Sequence, residues 1–189
     1  LSKKTWCAAS THNTEEVLCA TLHKKLKIKY KKLLTIIIPR HVERTKEIIS
    51  QIKKLDLKIH IHSSGKIIQN DTDIYLVDSY GKTKSFFKIC KTVFLGGSYI
   101  RHGGQNPIEA ARYGCTILHG KNTWNFKEVY SLLNRYNVTN KINNLNQMKN
   151  CLDNIFSKKH VSKNIKNKID NLGDKILNTT LKEIESFII

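Results

Sequence analysis

The chain lacks any apolar run long enough to cross a bilayer, and no charged-then-apolar leader precedes its first element. It begins at Leu1 rather than at methionine. From these features we expect a fragment or an excised domain whose N-terminal neighbour is missing. No internal repeat, low-complexity tract or clear linker interrupts the 189 residues, which are enough for one domain with a full core.

Closely spaced cysteines are also lacking. The five cysteines are far apart and none forms a C-x-x-C pair: Cys7, Cys19, Cys90, Cys115 and Cys151. This pattern argues against a zinc ribbon or a disulfide framework, and we expect the reduced thiols of a cytosolic protein.

Arginine is scarce although the chain is strongly basic. Only five of the 33 basic residues are arginine, and the net charge at pH 7 is +18. Lysine is a hydrated point charge, whereas recognition of bases and phosphates relies more on the planar arginine side chain. We therefore expect no nucleic-acid partner, and we expect the charge to favour acidic partners such as an anionic membrane surface.

Strand-like and helix-like segments alternate along the chain. Apolar and β-branched runs predict strands at 5–9, 33–38, 58–62, 74–77, 92–95, 115–118 and 138–142. Helical spacing predicts helices at 14–26, 42–55, 82–91, 107–113, 127–134 and from 145 onward. The alternation predicts an α/β fold, a Rossmann-like doubly wound parallel sheet over residues 1–143, with a C-terminal helical extension over 144–189 packed on it.

Two glycine pairs and a helix start follow the predicted strand at 92–95, namely Gly96 and Gly97, Gly103 and Gly104, then Asn106 and Pro107. Asn106 is a suitable N-cap and Pro107 a suitable first helical residue. Glycine lets the backbone approach a ligand closely, and a helix N-terminus presents unpaired N–H groups. The pattern predicts an anion site, and the alternative is an ordinary joint between a strand and a helix.

Charged and polar side chains are predicted at the same edge of the sheet. Arg40 follows Pro39 at the end of a strand, which is a suitable position for a phosphate ligand. Glu109, in the first helical turn, either complements the helix dipole or accepts hydrogen bonds from both hydroxyls of a ribose. The histidines of the ligand-side loops are candidate donors to an anion: His41, His102 and His119. Together these residues predict a phosphate and a ribose, and hence a nucleotide.

Six motifs occur in one order along the chain, AASTH (8–12), IPRHVER (38–44), LVDSYG (76–81), FLGGS (94–98), HGGQNPIE (102–109) and GKNTWNF (120–126). In this order they resemble the C-terminal half of the Kdo transferases of lipopolysaccharide biosynthesis, where Kdo is 3-deoxy-D-manno-octulosonic acid. The resemblance spans about residues 6–129. Several motifs in the right order are more specific than a lone glycine pattern.

The resemblance implies the donor-binding half of a two-domain GT-B glycosyltransferase. Such an enzyme transfers Kdo from CMP-Kdo to a lipid A precursor (lipid IVA), with inversion and without a required metal or other cofactor. It works at the cytoplasmic face of the bacterial inner membrane. The resemblance places the general base, the acceptor site and the membrane attachment in the missing N-terminal domain. It therefore implies no catalytic residue in this chain and no activity of the fragment alone.

The same resemblance assigns CMP-Kdo binding to Pro39, Arg40, Tyr80, Gly81, Lys82, Asn106, Pro107, Ile108 and Glu109. Further candidates are Ser10, Thr11, His12, Gly96, Gly97, Ser98, Gly103 and Gly104. Tyr80 and Lys82 stand where the family has Met and Glu, so we expect backbone contacts rather than side-chain contacts at that turn.

Two other interpretations stay open. One is a non-catalytic basic module that binds nucleic acid or anionic lipid through its lysine-rich helices. The other is a related GT-B enzyme that uses a UDP-sugar.

Overall fold

A computed structural model describes residues 3–157 and 162–188, and its centre is a seven-stranded parallel sheet. The strands are β1 (Lys4–Thr11), β2 (Leu33–Pro39), β3 (Ile59–Ile61), β4 (Ile74–Leu76), β5 (Thr92–Leu95), β6 (Thr116–His119) and β7 (Thr139–Lys141). The helices are α1 (Glu15–Lys27), α2 (Thr45–Lys53), α3 (Thr83–Ile89), α4 (Ile108–Arg112), α5 (Lys127–Arg135), α6 (Leu145–Ser157) and α7 (Ser162–Ile188).

The strand order is β3-β4-β2-β1-β5-β6-β7, and every neighbouring pair is parallel. From β1 the chain forms β2 beside it, passes to the edge strand β3, returns to form β4 between β3 and β2, and then crosses to the other side of β1 at β5. The direction of winding therefore reverses between β1 and β5. In open parallel sheets, ligands bind beyond the carboxyl ends of the strands at such a reversal.

Apolar residues cover both faces of the sheet, as continuous apolar strands predict. Alternate residues of β1 point to opposite faces, so Trp6 and Ala8 join one core cluster while Cys7 and Ala9 join the other. The first cluster contains residues of α1, α2 and α6, for example Leu22, and the second contains residues of α3, α4 and α5. The site described below thus stands on a core with two packed layers.

The structure confirms the predicted fold class, with a few differences in detail. The segment predicted as one helix over 42–55 is a 3₁₀ turn, Val42–Arg44, followed by α2. The last predicted strand shortens to Thr139–Lys141, and the helix predicted at 107–113 is assigned only over Ile108–Arg112. β7 is limited to the three residues that pair with β6, and the chain after α4 tightens to an i→i−3 hydrogen bond from Gly114 N–H to the Ala111 carbonyl.

Two long helices follow β7. Met148, Leu152 and Phe156 of α6 are buried against the first core cluster, and Ile169 of α7 is buried in the second. Residues 158–161 and 189 of the predicted 144–189 extension lie outside the described residues. In the part of the chain that is described, no helix is both long and apolar enough to span a membrane.

Candidate functional site

Five loops leave the carboxyl ends of adjacent strands along one edge of the sheet. They follow β4, β2, β1, β5 and β6, which are neighbours in that order. The loops after β1, β2 and β5 are tied together by main-chain hydrogen bonds. Arg40 N–H donates to the carbonyl of Thr11 at 2.9 Å, and Gly96 N–H donates to the carbonyl of Ala9 at 2.9 Å. Most of the residues predicted to bind CMP-Kdo lie along this edge.

An irregularity in β1 brings its last residues toward the neighbouring strands. The register with β2 shifts between Ala9 and Thr11, and Ser10 has a positive φ of 53°. Gly96 passes directly over this kink. A β-carbon on Gly96 would lie 2.2 Å from the carbonyl oxygen of Ser10. Because glycine has no β-carbon, the backbone at the end of β5 can lie against the backbone at the end of β1.

A buried carboxylate, Glu15, organises the loops after β1 and β5. Its Oε2 accepts hydrogen bonds from the N–H groups of His12 (2.9 Å) and Gly97 (2.8 Å), and its Oε1 accepts one from Tyr99 N–H (3.0 Å). Burial raises the pKa of Glu15, and the N–H donors partly oppose that rise. The side chain holds loops that lie more than 80 residues apart in sequence.

The N–H groups of three glycines in the two pairs have partners within the protein. Gly96 N–H is used in the strand ladder, Gly97 N–H donates to Glu15, and Gly104 N–H donates to the carbonyl of Gly97 at 2.8 Å. The anion site predicted at these glycines stays a prediction. The glycines also permit tight loop packing: Gly97 has a φ of 65° and lies against the rings of His12 and His102.

Three imidazole rings meet at this edge, from the loops after β1, β2 and β5. The ring of His12 lies 5.7 Å from that of His41 and 4.1 Å from that of His102, centroid to centroid. We call His12, His41 and His102 the imidazole cluster. Among the described residues, no group of three His, Cys, Asp or Glu side chains is arranged to hold a metal ion.

His12 is the buried member of the imidazole cluster, with 7% of its surface exposed. Burial, together with the nearby positive charges of Arg40 and Arg44 and the rings of His102 and His41, lowers the pKa of His12 to about 4. His12 is therefore neutral at pH 7. The side-chain amide nitrogen of Gln105 lies 3.4 Å from His12 Nε2.

The residues predicted around the start of α4 lie on one wall of a cleft of about 800 Å³. Asn106 accepts a hydrogen bond from Ile108 N–H at 3.0 Å, which is the predicted capping contact. Glu109 lies 3.4 Å from Lys84 Nζ and is half exposed. The other side chains of the cleft are mostly basic and come from α3, the segment between α3 and β5, α4 and α7: Lys84, Lys88, Lys91, Arg112 and Lys166.

Pro39 and Arg40 do not line this cleft, and neither does the turn after β4. Arg40 is exposed at the end of β2, next to the imidazole cluster. Tyr80 is 63% exposed, and its hydroxyl donates to the Glu43 carboxylate at 3.1 Å. Gly81 and Lys82 are exposed beside it, and the φ of Gly81 is 76°. The predicted residues thus form two groups, one at the centre of the sheet edge and one at α4.

The loop between β5 and α4 is fastened to the loop after β6. Ser98, a candidate ligand, is fully buried; its hydroxyl donates to the carbonyl of Leu95 and accepts from Gly120 N–H at 2.9 Å. The amide of Asn122 donates to the carbonyl of Ile100 at 2.7 Å. A β-carbon on Gly103 would lie 2.3 Å from the amide nitrogen of Asn125. Ser98 and Gly103 therefore position the loop.

A second polar cluster lies at the opposite, amino edge of the sheet. His23 Nδ1 lies 2.9 Å from the Thr35 hydroxyl, and His23 Nε2 lies 3.2 Å from Asp73 Oδ1. The arrangement resembles a nucleophile, a base and an acid, but all three residues are at most 2% exposed. No substrate reaches them, so the cluster stabilises the packing of α1 on β2 and β4.

Comparison with known proteins agrees with this geometry. No family model matches the chain. The 3-deoxy-D-manno-octulosonic acid transferase of Haemophilus influenzae is 35% identical over 128 residues, which cover 68% of this chain and 30% of the relative. The enzyme of the same name from Rickettsia prowazekii is 28% identical over 186 residues, covering 95% of this chain and 40% of the relative. The chain is related to the Kdo transferases.

A solved structure shares the fold of this chain. The crystal structure of the C-terminal CMP-Kdo binding domain of WaaA from Acinetobacter baumannii has a TM-score of 0.82, with 24% identity, 89% of this chain covered and 88% of that chain. This likeness shows the shared fold. The chain spans only 30% and 40% of the length of the two Kdo transferases compared above.

Sequence reasoning overlooked several residues that shape the site. Glu15 looked like an ordinary acidic residue in the first turn of a helix, because its partners are distant in sequence. Gln105, Asn122 and Tyr130 were also missed. The hydroxyl of Tyr130 donates to the carbonyl of Gln105 at 3.1 Å. The one available signal was that Gln105 and Asn122 lie inside motifs shared with the family.

Proposed function

We propose that this chain is the donor-binding part of an inverting glycosyltransferase that transfers Kdo from CMP-Kdo to a lipid A precursor. The observation that carries the proposal is the meeting of Arg40, His12 and the glycine-rich loop where the winding of the sheet reverses. This is the position at which open parallel sheets bind nucleotides. The relationship to the Kdo transferases supports CMP-Kdo as the nucleotide sugar.

The charges at the site suit a departing cytidine monophosphate. As the bond between the anomeric carbon and the phosphate breaks, negative charge grows on the phosphate. Arg40 is a fixed cation at the strand end, and a preorganised cation stabilises charge that appears during the reaction. Glu109, half exposed on α4, accepts hydrogen bonds from the ribose hydroxyls in this proposal. Tyr80, Gly81 and Lys82 border the base.

Other steps of the proposed reaction are assigned to residues outside this chain. We propose that the general base and the acceptor site belong to the remainder of the enzyme, and that the chain alone does not transfer sugar. We also propose that the enzyme acts at the cytoplasmic face of the bacterial inner membrane. The net charge of +18 supports attraction to that anionic surface.

Replacing Arg40 by alanine should weaken CMP binding by roughly 1.5–3 kcal/mol, because a charge-assisted hydrogen bond to phosphate is lost. Isothermal titration calorimetry with CMP measures the change. Arg135→Ala is the matched control, since Arg135 is exposed and ends α5 at the opposite edge of the sheet. Equal CMP affinity in Arg40→Ala and Arg135→Ala would contradict the assignment of Arg40.

The same titrations distinguish the two alternative functions. A basic module that binds nucleic acid or anionic lipid would be indifferent to CMP, and its affinity would fall steeply with salt. A UDP-sugar enzyme would bind UMP better than CMP. We expect CMP to bind more tightly than UMP or AMP, with modest sensitivity to salt. Failure of CMP to bind would overturn the proposed function.

The role of Glu109 predicts a preference for ribose over deoxyribose. We expect CMP to bind about tenfold more tightly than 2′-deoxy-CMP, because the 2′-hydroxyl donates a hydrogen bond to a charged carboxylate. In Glu109→Ala the two nucleotides should bind about equally. Glu128→Ala is the control, because Glu128 is an exposed acid in the first turn of the neighbouring helix α5. A tenfold preference that persists in Glu109→Ala would remove Glu109 from the ribose site.

A further inference from the structure

The imidazole cluster combines one buried ring with two accessible rings at the carboxyl edge of the sheet. His12 is nearly inaccessible, whereas the side chain of His41 is 50% exposed and His102 is exposed. His12 and His102 both contact the space beside Gly97, where a β-carbon would lie 3.2 Å from His102 Nδ1 and 3.3 Å from His12 Nε2. The buried ring of His12 and the accessible ring of His102 therefore both lie against Gly97.

Positive charge around the cluster exceeds negative charge. Arg40 and Arg44 lie close enough to disfavour protonation of His12. Of the nearby carboxylates, Glu15 uses its oxygens on main-chain N–H groups, and Glu16 pairs with Arg44 at 3.0 Å. Among the described side chains, Glu43 is the one carboxylate paired with a ring of the cluster, at 3.3 Å from His41 Nδ1, and it is 65% exposed.

Such a cluster favours an anionic ligand. A bound anion is attracted by the positive charges of Arg40 and Arg44, which lie close to His12. A neutral ring also supplies one N–H donor without any change of charge. The cluster is thus suited to an anion next to the phosphate that Arg40 is proposed to hold.

We propose that the imidazole cluster binds the carboxylate of the donor's sugar acid, beside the phosphate bound by Arg40. The inference rests on the proposed function and adds to it a basis for selecting the sugar. In a CMP-linked ulosonic acid, the carboxylate and the phosphate oxygen are attached to the same anomeric carbon. Two neighbouring subsites for anions are therefore required, and Arg40 and His41 are consecutive residues at the end of β2.

CMP itself is a suitable reference ligand for testing this subsite. At pH 7 it carries almost two negative charges, since the second pKa of a phosphomonoester is about 6. CMP-Kdo also carries two, one on its phosphodiester and one on its carboxylate. General electrostatic attraction to a basic surface should therefore give CMP and CMP-Kdo similar affinities, whereas a carboxylate subsite should bind CMP-Kdo more tightly.

The experiment compares the Kd of CMP with that of freshly prepared CMP-Kdo for the same protein at constant ionic strength. We expect CMP-Kdo to bind the wild-type chain at least about tenfold more tightly, as for one charge-assisted hydrogen bond. In His102→Gln the ratio of the two constants should fall to about two, and His41→Gln should lower it in part. The control is His60→Gln, since His60 stacks on Tyr75 at the edge strand β3, far from this loop in the sheet order.

The outcomes separate this inference from the proposed function. Equal affinity for CMP and CMP-Kdo in the wild type would overturn the carboxylate subsite, and so would an unchanged ratio in both His102→Gln and His41→Gln. If CMP still binds in either case, the proposed donor-binding function is not contradicted. Failure of both ligands to bind would overturn the proposed function and the subsite with it. Because each ratio is taken within one variant, a uniform loss of folded protein does not change it.

Discussion

Replacing Gly96 by alanine is expected to lower the free energy of unfolding by about 3 kcal/mol or more, which is the upper range for overpacking. The β-carbon would lie 2.2 Å from the Ser10 carbonyl oxygen and 2.6 Å from the α-carbon of Thr11. Both are backbone atoms, so no side-chain rotation relieves the contact. The carboxyl ends of β1 and β5 must separate, and the hydrogen bond from Gly96 N–H to the Ala9 carbonyl is lost with them.

Chemical denaturation followed by circular dichroism measures this effect, and Gly173→Ala is the matched control. Gly173 lies in α7, and a β-carbon there meets nothing within 4 Å. Alanine in a helix interior is about 1 kcal/mol more favourable than glycine, so the control should be neutral or stabilising. A loss below about 1 kcal/mol in Gly96→Ala would show that the two strand ends are not packed as described.

Glu15→Gln is expected to destabilise the fold by about 2–3 kcal/mol, because one of three buried N–H groups would face an amide NH₂. The carboxylate accepts from His12, Gly97 and Tyr99, and an amide retains only one acceptor oxygen. If that oxygen serves the two donors at Oε2, Tyr99 N–H meets a donor and loses its partner. The loop that carries Gly97 then keeps its hydrogen bond from Gly97 to the start of α1 but loses the one from Tyr99.

The adjacent Glu16 provides a control for burial and for removal of charge. Glu16 is also fully buried on α1, but it pairs with one side chain, Arg44, to which glutamine still offers an oxygen. Because Arg44 is partly exposed and keeps Glu47 and Asn13 as partners, Glu16→Gln should cost about 1 kcal/mol or less. Denaturation curves and CMP titrations of both variants give the comparison. Similar losses in the two variants would mean that burial alone, and not the three N–H contacts, determines the effect of Glu15.

Both predictions concern positioning within the protein. Glycine pairs after a strand suggest a backbone that approaches a ligand, yet Gly96, Gly97 and Gly104 direct their N–H groups to protein acceptors. Their shared role is to bring the loops after β1, β5 and β6 into contact. The candidate ligand groups on this framework are then side chains, namely Arg40, the imidazole cluster and Glu109.

The sequence by itself determined the elements and the class of fold. β-branched runs such as 33–38 and helical spacing such as 45–53 depend on neighbouring residues, so they are readable without the rest of the chain. Asn106 was recognisable as a cap for the same reason, since its partner is two residues away. The order of the six motifs was likewise sufficient to indicate the relationship to the Kdo transferases, because a motif is a local pattern of residues.

Only the tertiary structure decided the strand order, the partners of Glu15 and the meeting of three imidazole rings. β4 lies between β3 and β2, which no local pattern encodes. Glu15 reaches residues more than 80 positions away, and His12 meets a ring 90 positions away at His102. Such contacts depend on how both faces of the sheet pack and on where every loop closes. That information belongs to the whole chain and not to any short segment of it.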